Sequence, residues 1–254
     1  MHYLRNLARL GVTDIHPAGA SASRALIETL ALHSGQRLLE LGCGTGNTAL
    51  RLARRADISI VGLDLLSEML LAARRRLGRA ANHCTLVCAS ASVLPFMDQS
   101  FDRVYAESVL GIQNDADIKR ILAETFRVLK PGGRFVANEA IWRPNVDQST
   151  VTEVNRQSED HFGLRPASEH AWSVERWLDE IRQAGLQPMR WAEISLRDRR
   201  PLPARYIARL TRSFRVTSAP TLWAPHLAYR KRLALHRAYG SLIEARLFVA
   251  TRPM

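Results

Sequence analysis

Long apolar runs are missing from this chain: no stretch of its 254 residues approaches the ~18–20 consecutive apolar positions of a membrane-spanning helix. Cysteine is scarce. Cys43, Cys84 and Cys88 stand at unrelated spacings, which makes neither a disulfide framework nor a zinc site, so no metal centre is expected. Residues 1–10 lack an apolar stretch followed by a small-residue cleavage site, so no secretory signal is expected and the protein is read as soluble and cytoplasmic. There is no internal repeat and no low-complexity tract. These absences exclude a collagen, a coiled coil and a mainly disordered chain. A length of 254 residues with 46% hydrophobic content suits one α/β domain with added segments.

Acidic residues are also short in supply, 24 against 36 basic ones, giving a net charge of +12 and a pI near 10.7. Such a balance raises nucleic acid as a partner. Yet only Lys119, Lys130 and Lys231 are lysines; the rest of the basic residues are arginine. A bias of that kind makes total charge a weak guide and its position along the chain a better one.

Residues 1–35 read as two helical pieces joined at Asp14–Gly19, a helical cap before the main fold. A regular alternation follows. Short strands are expected at Arg37–Leu41, Ile58–Asp64, Cys84–Cys88, Phe101–Ala106 and Arg134–Ala140. Helices are expected at 47–55, Ser67–Leu77 and Ile118–Leu129, the last stopped by Pro131, Gly132 and Gly133. Strands separated by helices of this length make parallel βαβ units and hence a doubly wound sheet. Beyond Ile141 the rhythm changes. Helices at 148–160 and Val174–Ala184, a strand at Gln187–Ile194, helical segments near 202–213 and 226–238 and an edge strand at Leu242–Thr251 complete the reading. The expected fold is therefore α/β: a Rossmann-like, seven-stranded, mostly parallel sheet with an antiparallel last strand, a helical N-terminal extension and a helical insertion.

The chemistry is concentrated in Leu38–Asn47, a strand, a glycine-rich turn and a helix start. Gly42, Gly44 and Gly46 permit positive φ and close approach of a ligand to the backbone, beside the free N–H groups of a helix N-terminus. The nicotinamide fingerprint G-x-G-x-x-G is not met, because the spacing is G-x-G-x-G and Asn47 follows. Glu40, two residues before the first glycine, repels a pyrophosphate and suits a cationic ligand. Here the sequence resembles the class I S-adenosylmethionine-dependent methyltransferases, whose first motif is (E/D)-x-G-x-G-x-G. The resemblance extends to Ile60–Asp64 as second strand and ribose-binding acid, to Leu94–Asp102 as an L-P-F-x-D-x-S-F-D signature, and to Val128–Gly133 as a V-L-K-P-G-G turn. It implies S-adenosylmethionine as cofactor, with Glu40, Gly42, Cys43, Gly44, Gly46, Asp64, Leu65, Met69, Ser90, Ala91 and Glu107 as its contacts.

The chain departs from the family pattern at two places. Ser90-Ala91 stands where Asp-Ala is usual, leaving a weaker acceptor for the adenine amino group. Glu107 follows the fourth strand as in C-methyltransferases of sterols and prenyl chains, and the ubiquinone/menaquinone methyltransferases are similar overall. Glu107 reads as general base, cation stabiliser or ammonium contact, or as a solvated loop residue. Glu139 on the same crevice edge and His16, in a His16–Gly19 joint like that of some small-molecule members, are the other catalytic candidates; His161 and His170 qualify by pKa alone. Trp142, Trp172 and Trp177 read as pocket or core, and Cys43 as a packing residue.

The function implied is methyl transfer to a small organic molecule, including C-methylation of a lipid, prenyl or other natural product. An RNA or protein methyltransferase and a non-catalytic cofactor-binding protein are the alternatives. Ala106–Val109 lacks the (N/D/S)-P-P-(Y/F) of base N-methylation, so nucleic acid is not the expected partner. The chain is read as one domain over 1–254, with a cap at 1–35, a cofactor core at 36–140 and substrate-covering insertions at 141–172 and 197–240. Within 197–237 eleven basic residues face a single acid, Asp198. That stretch reads as an anion site for a carboxylate or phosphate substrate, or as a solvated or oligomer-facing surface. If it binds an anionic substrate, double Arg→Ala changes within it raise the KM for the acceptor and spare cofactor binding; an unchanged KM removes the idea.

Overall fold

In the computed structural model, which describes residues 4, 5, 8, 16, 18–54, 57–194 and 239–254, the alternating segments assemble into one seven-stranded sheet. In chain order the elements are α1 (Gly19–Leu30), β1 (Arg37–Leu41), α2 (Asn47–Ala53), β2 (Ser59–Asp64), α3 (Ser67–Leu77) and β3 (Cys84–Cys88). Then come β4 (Phe101–Glu107), α4 (Asp115–Val128), β5 (Leu129–Trp142), α5 (Gln148–Phe162), α6 (Val174–Gln183), β6 (Gln187–Ile194) and β7 (Ile243–Thr251). A 3₁₀ turn at Gly78–His83 joins α3 to β3. The strand order is β3-β2-β1-β4-β5-β7-β6. Strands β1 to β5 pair in parallel, while β7 runs antiparallel to both β5 and β6.

Strands covered by helices on both faces bury nearly every residue, and β1 and β2 are buried at every position after the first. One face of the sheet packs Leu39, Val104 and Phe135 against Ile118, Ile121 and Leu122 of α4 and Trp177 and Ile181 of α6. The other packs Leu38, Ile60 and Val136 against Leu26 and Leu30 of α1 and Leu52 of α2. A smaller cluster of Trp142, Val151, Val154 and Ile243 seats α5.

Caps set the helix ends more sharply than apolar spacing does. The Asn114 side chain accepts from the Asp117 N–H, so α4 begins three residues ahead of the first buried position, Ile118. Asp147 and Ser173 cap α5 and α6 in the same way. The acidic signature before β4 also has a structural use. Arg127 on α4 donates to Asp98 and to the Leu94 and Phe96 carbonyls, while Asp102 accepts from Lys130 Nζ and the Arg37 N–H.

The last strand departs from expectation. β7 is not an edge: it lies between β5 and β6 and is almost wholly buried, whereas the edge strand β6 is largely exposed. Two antiparallel partners account for its continuous apolar run. β5 extends to Trp142 because β7 pairs along its whole length, from Arg134↔Thr251 to Trp142↔Ile243. Trp142, Trp172 and Trp177 are core residues. The first expected helical piece lies mostly outside the described residues, as do the segments near 202–213 and 226–238 and the Arg-rich stretch 197–237. Among the described residues no helix is long and apolar enough to cross a membrane.

Trp177 joins the two ends of this core, with ring centroids 5.0 Å from Trp172 and 5.8 Å from Phe248. Trp177→Ala is expected to remove about 3–5 kcal/mol of stability, read as a lowered midpoint in urea denaturation.

Candidate functional site

The strand order reverses between β1 and β4, where α2 and α4 leave on opposite faces of the sheet. A crevice opens there outside the carboxyl ends of the strands. It holds a cavity of about 580 Å³. The turn after β1 forms its floor. Gly42, Gly44 and Gly46 all have positive φ, at 63°, 51° and 74°. A Cβ on Gly42 would lie 2.5 Å from Val109 Cγ2, and one on Gly46 2.9 Å from Ala73 Cβ, whereas Gly44 has nothing within 4 Å and stands open. The turn is tied down by Cys43 N–H donating to the Leu63 carbonyl at 2.8 Å and Gly46 N–H to the Cys43 carbonyl at 2.9 Å. Arg76 on α3 donates to the Thr45 carbonyl and hydroxyl from the far side.

Three carboxylates converge on this floor. Asp64 ends β2; its Oδ2 accepts from Gly44 N–H at 2.8 Å and its Oδ1 from Leu66 N–H at 2.9 Å. Burial raises its pKa, and the N–H groups of Leu66, Gly44 and Leu65 hold that rise back. Glu40 on β1 is buried, and burial pushes its carboxyl well above the usual carboxylate range, with Glu107 and Asp64 adding like-charge repulsion. Its Oε2 has no hydrogen-bond partner among the described residues, and neither has Glu107 Oε1. Glu107 Oε2 accepts from the Thr48 hydroxyl at 2.7 Å. His16 Nε2 lies 3.6 Å from Glu107 Oε1 and 3.2 Å from Ser23 Oγ, while its Nδ1 lies 3.4 Å from the Asn138 amide nitrogen. A histidine and a glutamate are thus held as a partly buried pair.

The structure gathers most of the expected residues at one cavity: Glu40, Gly42, Cys43, Gly44, Asp64, Leu65, Met69, Ser90, Ala91 and Glu107 line it, and so does His16. Two do not. Gly46 turns its α-carbon onto α3 and serves packing. Glu139 is fully buried off the cavity, where it accepts from the N–H groups of Val109, Leu110 and Gly111. His161 bonds the Gln157 carbonyl of its own helix and His170 pairs with Asp115; both are exposed and off the cavity. The Ser90 hydroxyl lies 2.8 Å from Ser92 Oγ and accepts from the Ser92 N–H.

Other wall residues escape a reading of sequence. Thr48 sits one turn past the glycines and is legible only in hindsight as the partner of Glu107. Glu159 and Arg165 reach the cavity from the end of α5, paired at 2.5 Å, from a polar stretch with no motif.

A methyltransferase-domain family model matches residues 38–133. The chain is 31% identical over 188 residues to the ubiquinone/menaquinone biosynthesis C-methyltransferase UbiE of Roseobacter denitrificans, covering 68% of this chain and 74% of that protein. It is 43% identical over 124 residues to UbiE of Dinoroseobacter shibae, covering 48% of this chain and about half, 49%, of that relative's length. Among solved structures, the [4+2]-cyclase SpnF superposes with a TM-score of 0.72 at 25% identity, covering 99% of this chain and 92% of that one.

Glu40 provides a test that needs no ligand. Its folded pKa lies above its unfolded value, so its contribution to stability is complete below about pH 4.5 and is lost as pH rises through the folded pKa. Glu40→Gln has no such loss. Its melting temperature is expected to match wild type near pH 5 and to exceed it increasingly toward pH 8 in scanning calorimetry.

Proposed function

Because this chain belongs to the class I S-adenosylmethionine-dependent methyltransferases, we propose that its cavity holds S-adenosylmethionine and that it methylates a small organic acceptor. The similarity to UbiE favours C-methylation of a lipid, prenyl or other natural product. The observation that carries this reading is the set of carboxylates Glu40, Asp64 and Glu107 on one cavity floor, with Glu40 Oε2 left without a hydrogen-bond partner among the described residues.

Those residues fit a cationic nucleoside. A buried carboxylate with a vacant acceptor oxygen suits an ammonium or sulfonium and opposes a phosphate. Each Asp64 oxygen spends one lone pair on a backbone N–H and keeps another for a ribose hydroxyl. Gly44 leaves the backbone bare where the ligand passes. Leu65, Met69, Ser90 and Ala91 form the wall for the adenine, with the Ser90 hydroxyl in place of a carboxylate.

The bound cofactor supplies an electrophilic methyl group on a sulfonium. The protein positions the acceptor, excludes water and takes up any proton the acceptor brings. Glu107 and His16 take that last role. Thr48 fixes one Glu107 oxygen, Asn138 sets the His16 ring, and the pair presents a partly buried base at the cavity wall. The turn after α5, at 163–165, supplies part of the acceptor wall, so 141–172 acts as one covering segment over the 36–140 core of a single domain. The charged residues on the described wall include Glu40, Asp64, Glu107, Asp117 and Glu159 against Arg165.

Isothermal titration with S-adenosylhomocysteine tests the reading. Wild type is expected to bind one equivalent, and Glu40→Gln and Asp64→Ala to bind about tenfold to a hundredfold more weakly, as loss of a hydrogen bond to a charged group implies. Transfer of a labelled methyl group into an organic extract of small molecules checks the chemistry. No cofactor binding removes the proposal, and binding without transfer to any acceptor favours a non-methylating member of the fold.

A further inference from the structure

Glu107 ends β4, and the segment after it carries Ser108, Val109, Ile112 and Gln113 into the cavity wall, with no regular element until α4 begins. Its support comes from two residues of β5. Ser108 N–H donates to the Asn138 carbonyl at 2.8 Å. The next three N–H groups converge on one side chain: Val109 and Leu110 donate to Glu139 Oε1 at 3.1 Å each, and Gly111 to Oε2 at 3.0 Å. Four consecutive amides are thus taken up by neighbouring positions of one strand.

Two further details show that this loop is held rather than merely adjacent. Ser108 adopts a φ of 56°, a left-handed conformation that a non-glycine residue keeps only where its surroundings impose it. Gly111 is tightly enclosed, since a Cβ there would lie 3.1 Å from the Ala140 carbonyl and 3.2 Å from Glu139 Oε2. The loop in turn meets the glycine turn, because Val109 Cγ2 fills the space a Gly42 side chain would occupy.

We infer that Glu139 is a positioning residue: by gathering the amides of 109–111 it holds the loop that continues from Glu107 at the end of β4 and sets Val109 against the glycine turn of the cofactor floor. Glu139 itself does not touch the cavity, so it acts through this loop and is not a catalytic residue. Burial pushes its carboxyl up to about 7, against the pull of the Gly111, Leu110 and Val109 N–H groups, and the Glu107 carboxylate adds to the rise. The buried ion is thus compensated by convergent N–H groups alone. Its protonation places a hydrogen on one of the two accepting oxygens and weakens the clamp.

The inference rests on the proposed cofactor site only in one arm of its test. The first arm needs no ligand. Amide hydrogen exchange of wild type, corrected for intrinsic rates, is measured for 109–111 at pH 8 and pH 6. Protection of these amides is expected to fall at least tenfold at pH 6, while that of Ile118–Thr125 in α4 is unchanged. Equal protection at both pH values, or none at either, overturns the inference. The second arm titrates S-adenosylhomocysteine into Glu139→Gln and into Glu180→Gln, a buried carboxylate on α6 paired with Arg176 away from the cavity. Glu139→Gln is expected to bind at least tenfold more weakly than wild type and Glu180→Gln within twofold. Wild-type affinity in Glu139→Gln overturns the inference. If Glu139→Gln does not fold, or wild type binds no S-adenosylhomocysteine, the exchange arm decides alone; the latter result would remove the proposed function and not this inference.

Discussion

A parallel sheet whose strand order turns back at its centre has to leave a gap between the helices that diverge there, and the cavity of this molecule occupies that gap. β1 pairs with β2 on one side and β4 on the other, in registers that set Leu41 beside both Leu63 and Ala106. The residues at or next to the ends of these three strands are therefore brought together whatever their identity. Here they are Glu40, Asp64 and Glu107. Strand pairing, driven by burial of the apolar faces, forces three acids into one partly desolvated space.

That arrangement opposes stability. Carboxylates buried near one another without a cation favour their neutral forms, as the raised pKa values of Glu40 and Asp64 record. The surrounding structure offsets the cost with backbone N–H groups at Asp64 and a hydroxyl at Glu107, and leaves Glu40 Oε2 unmatched. A site uncomfortable when empty and satisfied by a cation is one in which ligand binding contributes to the fold. Elsewhere the chain pairs its acids carefully. Arg127 ties Asp98 and Glu124 to the loop before β4, and Arg143 and Arg246 cover the buried Glu244. The contrast sets the cavity apart.

The net charge of +12 does not describe this cavity. Basic residues dominate the chain, and acids dominate the described cavity wall. Sign and location are thus separate properties, and the one relevant to cofactor recognition is local.

Much of the core is legible in the sequence because short-range rules govern it. β1, β3 and α3 have the ends that apolar spacing predicts, and the three alternating glycines mark a turn that needs positive φ at three positions. Asp64 is legible from its place at the end of a β-branched run. Other features depend on partners distant in sequence. β7 reads as an edge strand because an isolated apolar run does not reveal its neighbours; its pairing with both β5 and β6 makes it central. Glu139 reads as a crevice acid from its position on β5, but side chains alternate across a strand. Only the folded chain shows that it turns toward residues 109–111 while Asn138 turns toward His16. The pairing of His16 with Glu107 spans a separation that no local pattern encodes. The sequence by itself determined the fold class, the glycine turn and the acids that flank it, since these follow from backbone conformation and hydrophobic period. Tertiary structure decided which acid faces the cavity and which bonds the loop, because that depends on the direction each side chain takes once the strands are paired.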